Sequence, residues 1–191
     1  MSNATASGDV VQTFFANIHA PTQSQLDMLT KKLGIPIMAL AHDRDGGGTC
    51  MGMIRVERSG QRFDFSDDPV LRPICGFIAW NRWDEPEDIV GWSPRDDWTG
   101  SWKGQAVLLG EHELQSPRLG TPLPVHLDVA SWLRSHREGV VAIDRKRAWR
   151  ALEGLTVAAE TVDSGMKLRK ILASPEPRIV VRAQAIERAA A

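Results

Sequence analysis

The stretch Gly139-Val-Val-Ala-Ile-Asp-Arg-Lys-Arg-Ala-Trp-Arg-Ala-Leu-Glu-Gly154 decides the fold class of this chain. Val140 to Ile143 is a short, uninterrupted apolar run, the pattern of a strand buried on both faces. Asp144 follows it as a helix N-cap, Ala148, Trp149 and Leu152 fall on one helical face, and Gly154 supplies the stop. A strand leading straight into a capped helix is half of a β-α-β unit.

The same alternation continues on both sides. Upstream, Asp128 caps a helix that turns Val129, Trp132 and Leu133 inward and stops at Gly139. Downstream, Leu155 to Glu160 reads as a second strand, and Asp163 or Ser164 opens a helix carrying Leu168, Ile171 and Leu172. Ile179-Val-Val181 reads as a third strand, and the Ala-rich 183–191 as a frayed helical end. Apolar strands alternating with helices predict β-α-β-α-β, a parallel sheet with right-handed crossovers.

The front half has a different texture. Val10 to Ala20 mixes β-branched and aromatic residues and predicts a first strand. A helix follows: Thr22 and Gln25 form a capping-box pattern, Leu26, Leu29 and Leu33 share a face, and Gly34 then Pro36 end it. Ile35 to Ala41 and Met51 to Glu57 predict strands flanking the hairpin tip His42-Asp-Arg-Asp-Gly-Gly-Gly-Thr49. Arg62 to Phe65, Pro73 to Trp80, a short stretch at 89–92, and Gln105 to Gly110 predict further strands. The expected fold is therefore mixed α/β, with a β-rich antiparallel front half and a β-α-β-α-β parallel-sheet back half. In domain terms this gives a tail at 1–9, a β-rich lobe at 10–114, a Pro- and Gly-rich linker at 115–125 and a small α/β lobe at 126–191. The two lobes are alternatively one continuous domain.

Composition narrows the function classes. With 42% apolar and 25% charged residues in 191, the chain is an ordinary folded protein rather than a disordered one. Met1 to Asp9 has neither a basic nor an apolar segment of the signal-peptide kind, and no apolar run approaches the ~20 residues that span a bilayer. Cys50 and Cys75 are the only thiols, without Cys-x-x-Cys spacing, which predicts two free thiols in a reducing cytoplasm. Net charge is −1, but residues 1–100 carry 9 Lys and Arg against 14 acids, and residues 101–191 carry 14 against 10. An acidic front and a basic back give a field that can steer a partner.

Several clusters have the right residue types for chemistry. His42, Asp43 and Asp45, with Glu111, His112 and Asp144, offer oxygen and imidazole ligands for Mg²⁺, Mn²⁺ or Zn²⁺ if the fold gathers them. A solvated hairpin tip and an exposed strand end account for the same residues without a metal. Asp144 and Glu160, at the expected carboxyl ends of parallel strands, form a second acidic pair in the position where open sheets bind ligands. A calcium loop starting at Asp43 is excluded because Gly47 and Ile54 occupy positions that need acids. G-x-x-x-x-G-K-[ST], G-x-G-x-x-G and G-x-S-x-G are absent, and no cofactor is expected.

The remaining clusters suit partners better than substrates. Arg134 to Arg137, then Arg145, Lys146, Arg147 and Arg150, then Lys167, Arg169 and Lys170, offer cations for phosphates or for an acidic protein. Five of the seven tryptophans lie between Trp80 and Trp102 in a chain without tyrosine. That stretch holds two arginines and six acids, the wrong charge for stacking on nucleic acid. Trp80 and Trp92 continue apolar runs and are expected in the core. Trp83 and Trp98 follow polar residues beside acidic loops and are the candidate protein-binding anchors.

Asp88-Ile-Val-Gly-Trp92-Ser-Pro94, Trp102, Gly104, Leu108-Leu-Gly-Glu111, Pro124, His126, Ser131-Trp-Leu-Arg134 and Gly139-Val-Val141 together resemble a loose group of small proteins from prophage-like and other mobile regions of proteobacteria. The resemblance covers residues 88–143. It implies an accessory role in a mobile element and brings no activity or site residue with it. The reading is thus an accessory protein without catalysis of its own, working through a protein or nucleic-acid partner in the cytoplasm. A metal-dependent enzyme acting on nucleic acid or nucleotides is the rival.

Overall fold

The computed structural model describes residues 4–41, 51–115 and 121–173. The chain opens with helix α1 (Ala4–Asn17) where a strand over Val10 to Ala20 and a loose tail before it are expected. Val10, Phe14 and Ile18 recur every fourth residue and pack together on one helical face. That spacing outweighs the β-branched composition.

Helix α2 (Gln23–Asp27) starts at Thr22 as the sequence predicts, with the reciprocal Thr22 and Gln25 capping box formed, and runs on through a π-helical turn, Met28–Lys32. Gly34, at φ +68°, takes the left-handed conformation that ends it. Ile35 to Ala41 is not a strand. Helix α3 (Ile37–Ala41) forms instead, with the Pro36 carbonyl accepting from the Ala39 N–H. A proline is well placed there because the first turn of a helix needs no donor from it. The hairpin tip, with His42, Asp43, Asp45 and Cys50, lies outside the described residues.

Six strands follow: β1 (Gly52–Ile54), β2 (Val56–Ser59), β3 (Arg62–Phe65), β4 (Ile74–Trp80), β5 (Pro86–Ser93) and β6 (Trp98–Ser101). They form one sheet in the order β1-β4-β5-β6-β3-β2, antiparallel except for the short β3/β6 pair. Strands β1 and β2 lie at opposite edges of the order, yet only Arg55 separates them in sequence. The sheet must therefore curl until its two edges meet. The strand expected at 89–92 runs longer, over Pro86–Ser93, and a further strand forms at Trp98–Ser101, where none is expected.

Both faces of this sheet are covered, which is why β4 reads as one continuous apolar run. Ile74, Ile78 and Ile89 pack with α1 residues Val10 and Phe14. Cys75, Phe77, Ala79, Val90 and Trp92 point the other way.

The second sheet has the order β10-β8-β9-β7, from β7 (Leu108–Leu109), β8 (Leu123–His126), β9 (Val140–Ala142) and β10 (Val157–Ala158). Helix α4 (Val129–Arg134) joins β8 to β9, and α5 (Arg145–Ala151) joins β9 to β10; α6 (Val162–Ile171) follows. The β8, β9 and β10 pairings are parallel and β7 is antiparallel. The back half is a parallel β-α-β-α-β unit shifted towards the N-terminus: β9 and β10 fall on the strands expected at 140–143 and 155–160, while the remaining strand is β8, which overlaps the segment 115–125 expected to be a linker. Ile179 to Val181 lies outside the described residues. The caps are those expected at Asp128 and Asp144, while α6 is capped two or three residues before the expected Asp163 or Ser164, by Thr161 with Ser164 reciprocating.

One apolar cluster joins Leu29, Leu40, Phe77 and Trp92 of the front half to Leu109, Val129, Trp132, Leu133 and Val141 of the back half. The Trp132 ring meets Phe77 edge to face at 6.1 Å, and its indole N–H donates to the Gly139 carbonyl at 3.0 Å. No helix among the described residues is long and apolar enough to cross a membrane.

A shared core predicts shared unfolding. Trp132→Ala should lower stability by about 3–5 kcal/mol. Denaturant titrations read by circular dichroism and by the fluorescence of the remaining tryptophans should shift together, as one transition. Two separated transitions would show that the lobes unfold independently.

Candidate functional site

Asp88 lies inside β5 with no exposure to water. Its Oδ1 accepts from the N–H groups of Ile89 and Lys103, both at 2.8 Å, and its Oδ2 from those of Gln105 at 2.7 Å and Ala106 at 3.1 Å. Burying a carboxylate is costly unless donors replace its water, and here four do. Three of those donors come from the loop between β6 and β7, so Asp88 sets the conformation of residues 103–106.

The carbonyls of that loop hold two arginines. Arg62 Nη2 donates to the Lys103 carbonyl at 2.9 Å, and Arg147 Nη2 to the Gly104 carbonyl at 2.8 Å. Gly104 has φ +70°, and a β-carbon there would stand 2.5 Å from Arg62 Nε, so the guanidinium occupies the space a side chain would fill. Arg147 Nε also donates to Asp144 Oδ2 at 2.6 Å, while Asp144 Oδ1 caps α5 through the N–H groups of Lys146 and Arg147. Partial burial would raise the Asp144 carboxyl, but the Arg147 guanidinium and the two N–H groups outweigh it and hold it below the usual range. Between the arginines, at the seam of the two sheets, opens a cavity of about 230 Å³.

The second acid group is buried rather than an exposed strand end. Residues Glu111–Gln115 form a 3₁₀ turn that turns Glu111 and Glu113 inward. Arg82 Nε stands 3.5 Å from Glu111 Oε1. Half-buried Glu87 is near enough to feel it: burial first, then the Glu111 and Asp88 carboxylates, push the Glu87 carboxyl up. His112 faces away, into a small void of about 10 Å³ among Trp80, Trp132 and Arg137.

These groups do not converge on a metal. Among the described residues no three His, Cys, Asp or Glu side chains are gathered as a metal would need. Glu111, His112 and Asp144 are described and form no such group, and His42, Asp43 and Asp45 lie outside the described residues. Asp144 and Glu160 do not pair either. They follow β9 and β10, which flank β8 rather than each other, so two strand spacings, about 10 Å, separate the strands that carry them. Glu160 sits at a different cavity, about 330 Å³, with His126, Arg134 and Ser135. His126 Nε2 lies 2.9 Å from the Glu138 carbonyl, which only its N–H form satisfies, so it is no base for the Ser135 hydroxyl 3.1 Å away.

The tryptophans separate clearly. Trp92 is buried in the core shared by the two sheets, and Trp80 is half-buried against the other cluster, with Ile78 and Ile89. Trp98 is half-buried: its indole N–H donates to the Gly60 carbonyl at 2.9 Å, its ring meets Phe63, and the Arg58 guanidinium, paired with Asp96, covers it at 4.4 Å. Trp83 is 70% exposed. It rides the turn between β4 and β5, where Asn81 Oδ1 accepts from the N–H groups of Trp83 at 2.8 Å and Glu85 at 3.1 Å. Two backbone bonds, Asn81 N–H to the Glu85 carbonyl and Asp84 N–H to the Asn81 carbonyl, close the same turn.

The basic residues divide too. Arg145 and Lys146 are exposed in the first turn of α5, and Arg150, also exposed, lies 5.3 Å over the Trp149 ring. Arg147 belongs to the seam cavity. Arg137, expected among the surface cations, is only 4% exposed: its Nε donates to the Ala39 carbonyl at 2.7 Å, and Phe77 and Trp132 rings lie against it. Cys75 is buried, and burial pushes its thiol up to about 12, which keeps it unreactive.

Asp88, Arg62 and Gly104 were not singled out from the sequence as parts of a site. The one local sign was an acid heading the apolar run Ile89-Val-Gly-Trp92, where alternation gives it a buried position. No family model matches the chain, and neither does any curated protein or solved structure.

Two outcomes follow from these acids. Asp88→Ala leaves four N–H groups without an acceptor and should cost about 3 kcal/mol or more in denaturant titrations, with Asp88→Asn in between. Glu87 acts in the opposite sense. Its folded-state proton affinity is raised, so its ionised form penalises folding; the penalty is absent below the ordinary glutamate value of about 4.3 and complete above the raised one. Glu87→Gln should therefore raise Tm at pH 7, and that gain should fade as the pH is lowered towards 4. A gain that stays constant with pH would refute the electrostatic origin.

Proposed function

We propose that this chain is a non-catalytic interaction protein, an accessory factor of a mobile element acting in the cytoplasm, and that it grips a protein partner through Trp83. The observation that carries the reading is a large indole held in solvent by a turn that is already ordered. Covering roughly 150 Å² of it at ~25 cal/mol/Å² is worth up to about 4 kcal/mol, more than most single interface side chains give. Because Asn81 pins the turn beforehand, little ordering cost is added on binding. Arg82, Asp84 and Glu85 surround the indole as a mainly acidic, exposed rim. The matching surface is an apolar pocket with a basic border. Trp98, with its N–H already bonded and its face under Arg58, serves the same interface at most from the side.

Nucleic acid is the second partner class, on one observation: Arg145 and Lys146 occupy the first turn of α5, where the helix dipole disfavours cations. Residues kept there against local electrostatics suit an anionic partner, with Arg150 beside them. The rival reading, a metal-dependent enzyme acting on nucleic acid or nucleotides, needs His42, Asp43 or Asp45 beside His112 or Asp144, and nothing in the described geometry favours it.

Capture from extracts of the native host, with and without nuclease, tests the proposal. Trp83→Ala should leave Tm within about 1 °C, since surface changes rarely exceed ~0.5 kcal/mol, and should lose the captured protein in both arms. Capture that survives Trp83→Ala, or that disappears with nuclease alone, would refute Trp83 as the protein anchor.

A further inference from the structure

We infer that the cavity at the seam of the two sheets binds the phosphate group of a small phosphorylated molecule. This is independent of the Trp83 surface. The cavity draws one guanidinium from each half of the chain, Arg62 from β3 and Arg147 from α5, onto the consecutive carbonyls of Lys103 and Gly104. Each arginine spends only part of its donor fork on protein. Among the described residues Arg62 uses Nη2 alone, and Arg147 uses Nε and Nη2. The remaining N–H groups are the kind that take a phosphate from two sides.

A hydroxyl stands beside the arginines. Ser101, 4% exposed, lines the same cavity, where its hydroxyl can donate to a bound acceptor. Thr99 and Gln61 line the wall beside it. Asp144 is already engaged by the Arg147 guanidinium and by the cap N–H groups of Lys146 and Arg147, Asp88 by its four N–H groups, and Lys103 turns its ammonium to Asp9 at 3.0 Å, so among these groups the unused N–H groups of Arg62 and Arg147 are the donors left for a ligand. At about 230 Å³ the space falls below the ~300–1,000 Å³ that holds a drug-sized ligand, so it takes a phosphate and the first part of its carrier.

The test is calorimetry and thermal melting of the full chain at fixed ionic strength with sodium phosphate, adenosine 5′-monophosphate, adenosine, and a single-stranded dT oligomer. The expected result is saturable binding of phosphate and the monophosphate and none of adenosine. Arg62→Gln should weaken the monophosphate by about tenfold or more, the scale of a lost charge-assisted contact. Arg62 also braces the loop, so Ser101→Ala is the second variant: it removes a hydroxyl that lines the cavity, should leave Tm unchanged, and should weaken binding several-fold. No saturable binding, or binding that neither substitution alters, overturns the inference. Binding of the dT oligomer without response to phosphate or the monophosphate overturns the small-molecule source and assigns the arginines to a nucleic-acid backbone.

Discussion

Asp88 is the point from which the arrangement of the two halves can be followed outward. A carboxylate cannot remain dry inside a sheet unless donors surround it, and β5 itself offers only the N–H of Ile89. The other three donors are recruited from Lys103, Gln105 and Ala106. That requirement fixes the loop that leads from the last strand of the curled sheet to the first strand of the parallel one. With those N–H groups turned inward, the carbonyls of Lys103 and Gly104 in the same loop turn outward, and they meet a guanidinium from each half. A buried charge on one side of a loop thus places two exposed charges on the other.

The packing reinforces the same junction. Strands β4 and β5 present alternate side chains to two different cores, one closed by α1 and one shared with α4 and the second sheet. Trp132 stands at the meeting point, braced by Phe77 and by the Gly139 carbonyl, with the buried Arg137 guanidinium against it. Gly110 and Gly139 make that approach possible: a β-carbon at Gly110 would lie 2.4 Å from the Gly139 carbonyl oxygen. The seam cavity therefore has walls that are held from behind by packed elements of both halves, and its arginines stand on ordered backbone.

What was legible in the sequence was what is decided locally. Thr22 with Gln25, Asp128 and Asp144 mark helix starts because a cap involves only the next three residues. The alternation of apolar strands and helices after residue 126 likewise depends on short windows. The misreadings arose where two local signals compete. Val10, Phe14 and Ile18 have helical spacing but strand-like composition, and packing against β4 and β5 decides for the helix. Leu123 to His126 looks like a linker because of its prolines, yet Pro124 falls before the first β8/β9 pair, Val125 with Val140, where no N–H is needed from it. The site was hidden for a different reason. The only local sign at Asp88 was its alternation with Val90 and Trp92, and nothing local distinguishes Arg62 from Arg58, because their roles are set by residues 15 to 85 positions away.

The contrast between Trp83 and Trp98 shows the same limit and also what the fold adds. Both follow polar residues and sit beside acidic loops, so their sequence surroundings are alike. Trp98 begins β6, and the neighbouring β3 brings Phe63 under its ring while Gly60 and Arg58 close over the rest. Trp83 sits in the turn between two paired strands, where the sheet ends and no neighbouring strand can reach it. Asn81 could have let that turn relax and fold the indole back onto Trp80; instead it bonds both Trp83 and Glu85 and holds the turn open. Asn81, two residues before the tryptophan, thus holds the turn that keeps the Trp83 indole in solvent, an exposure that hydrophobic burial alone would remove.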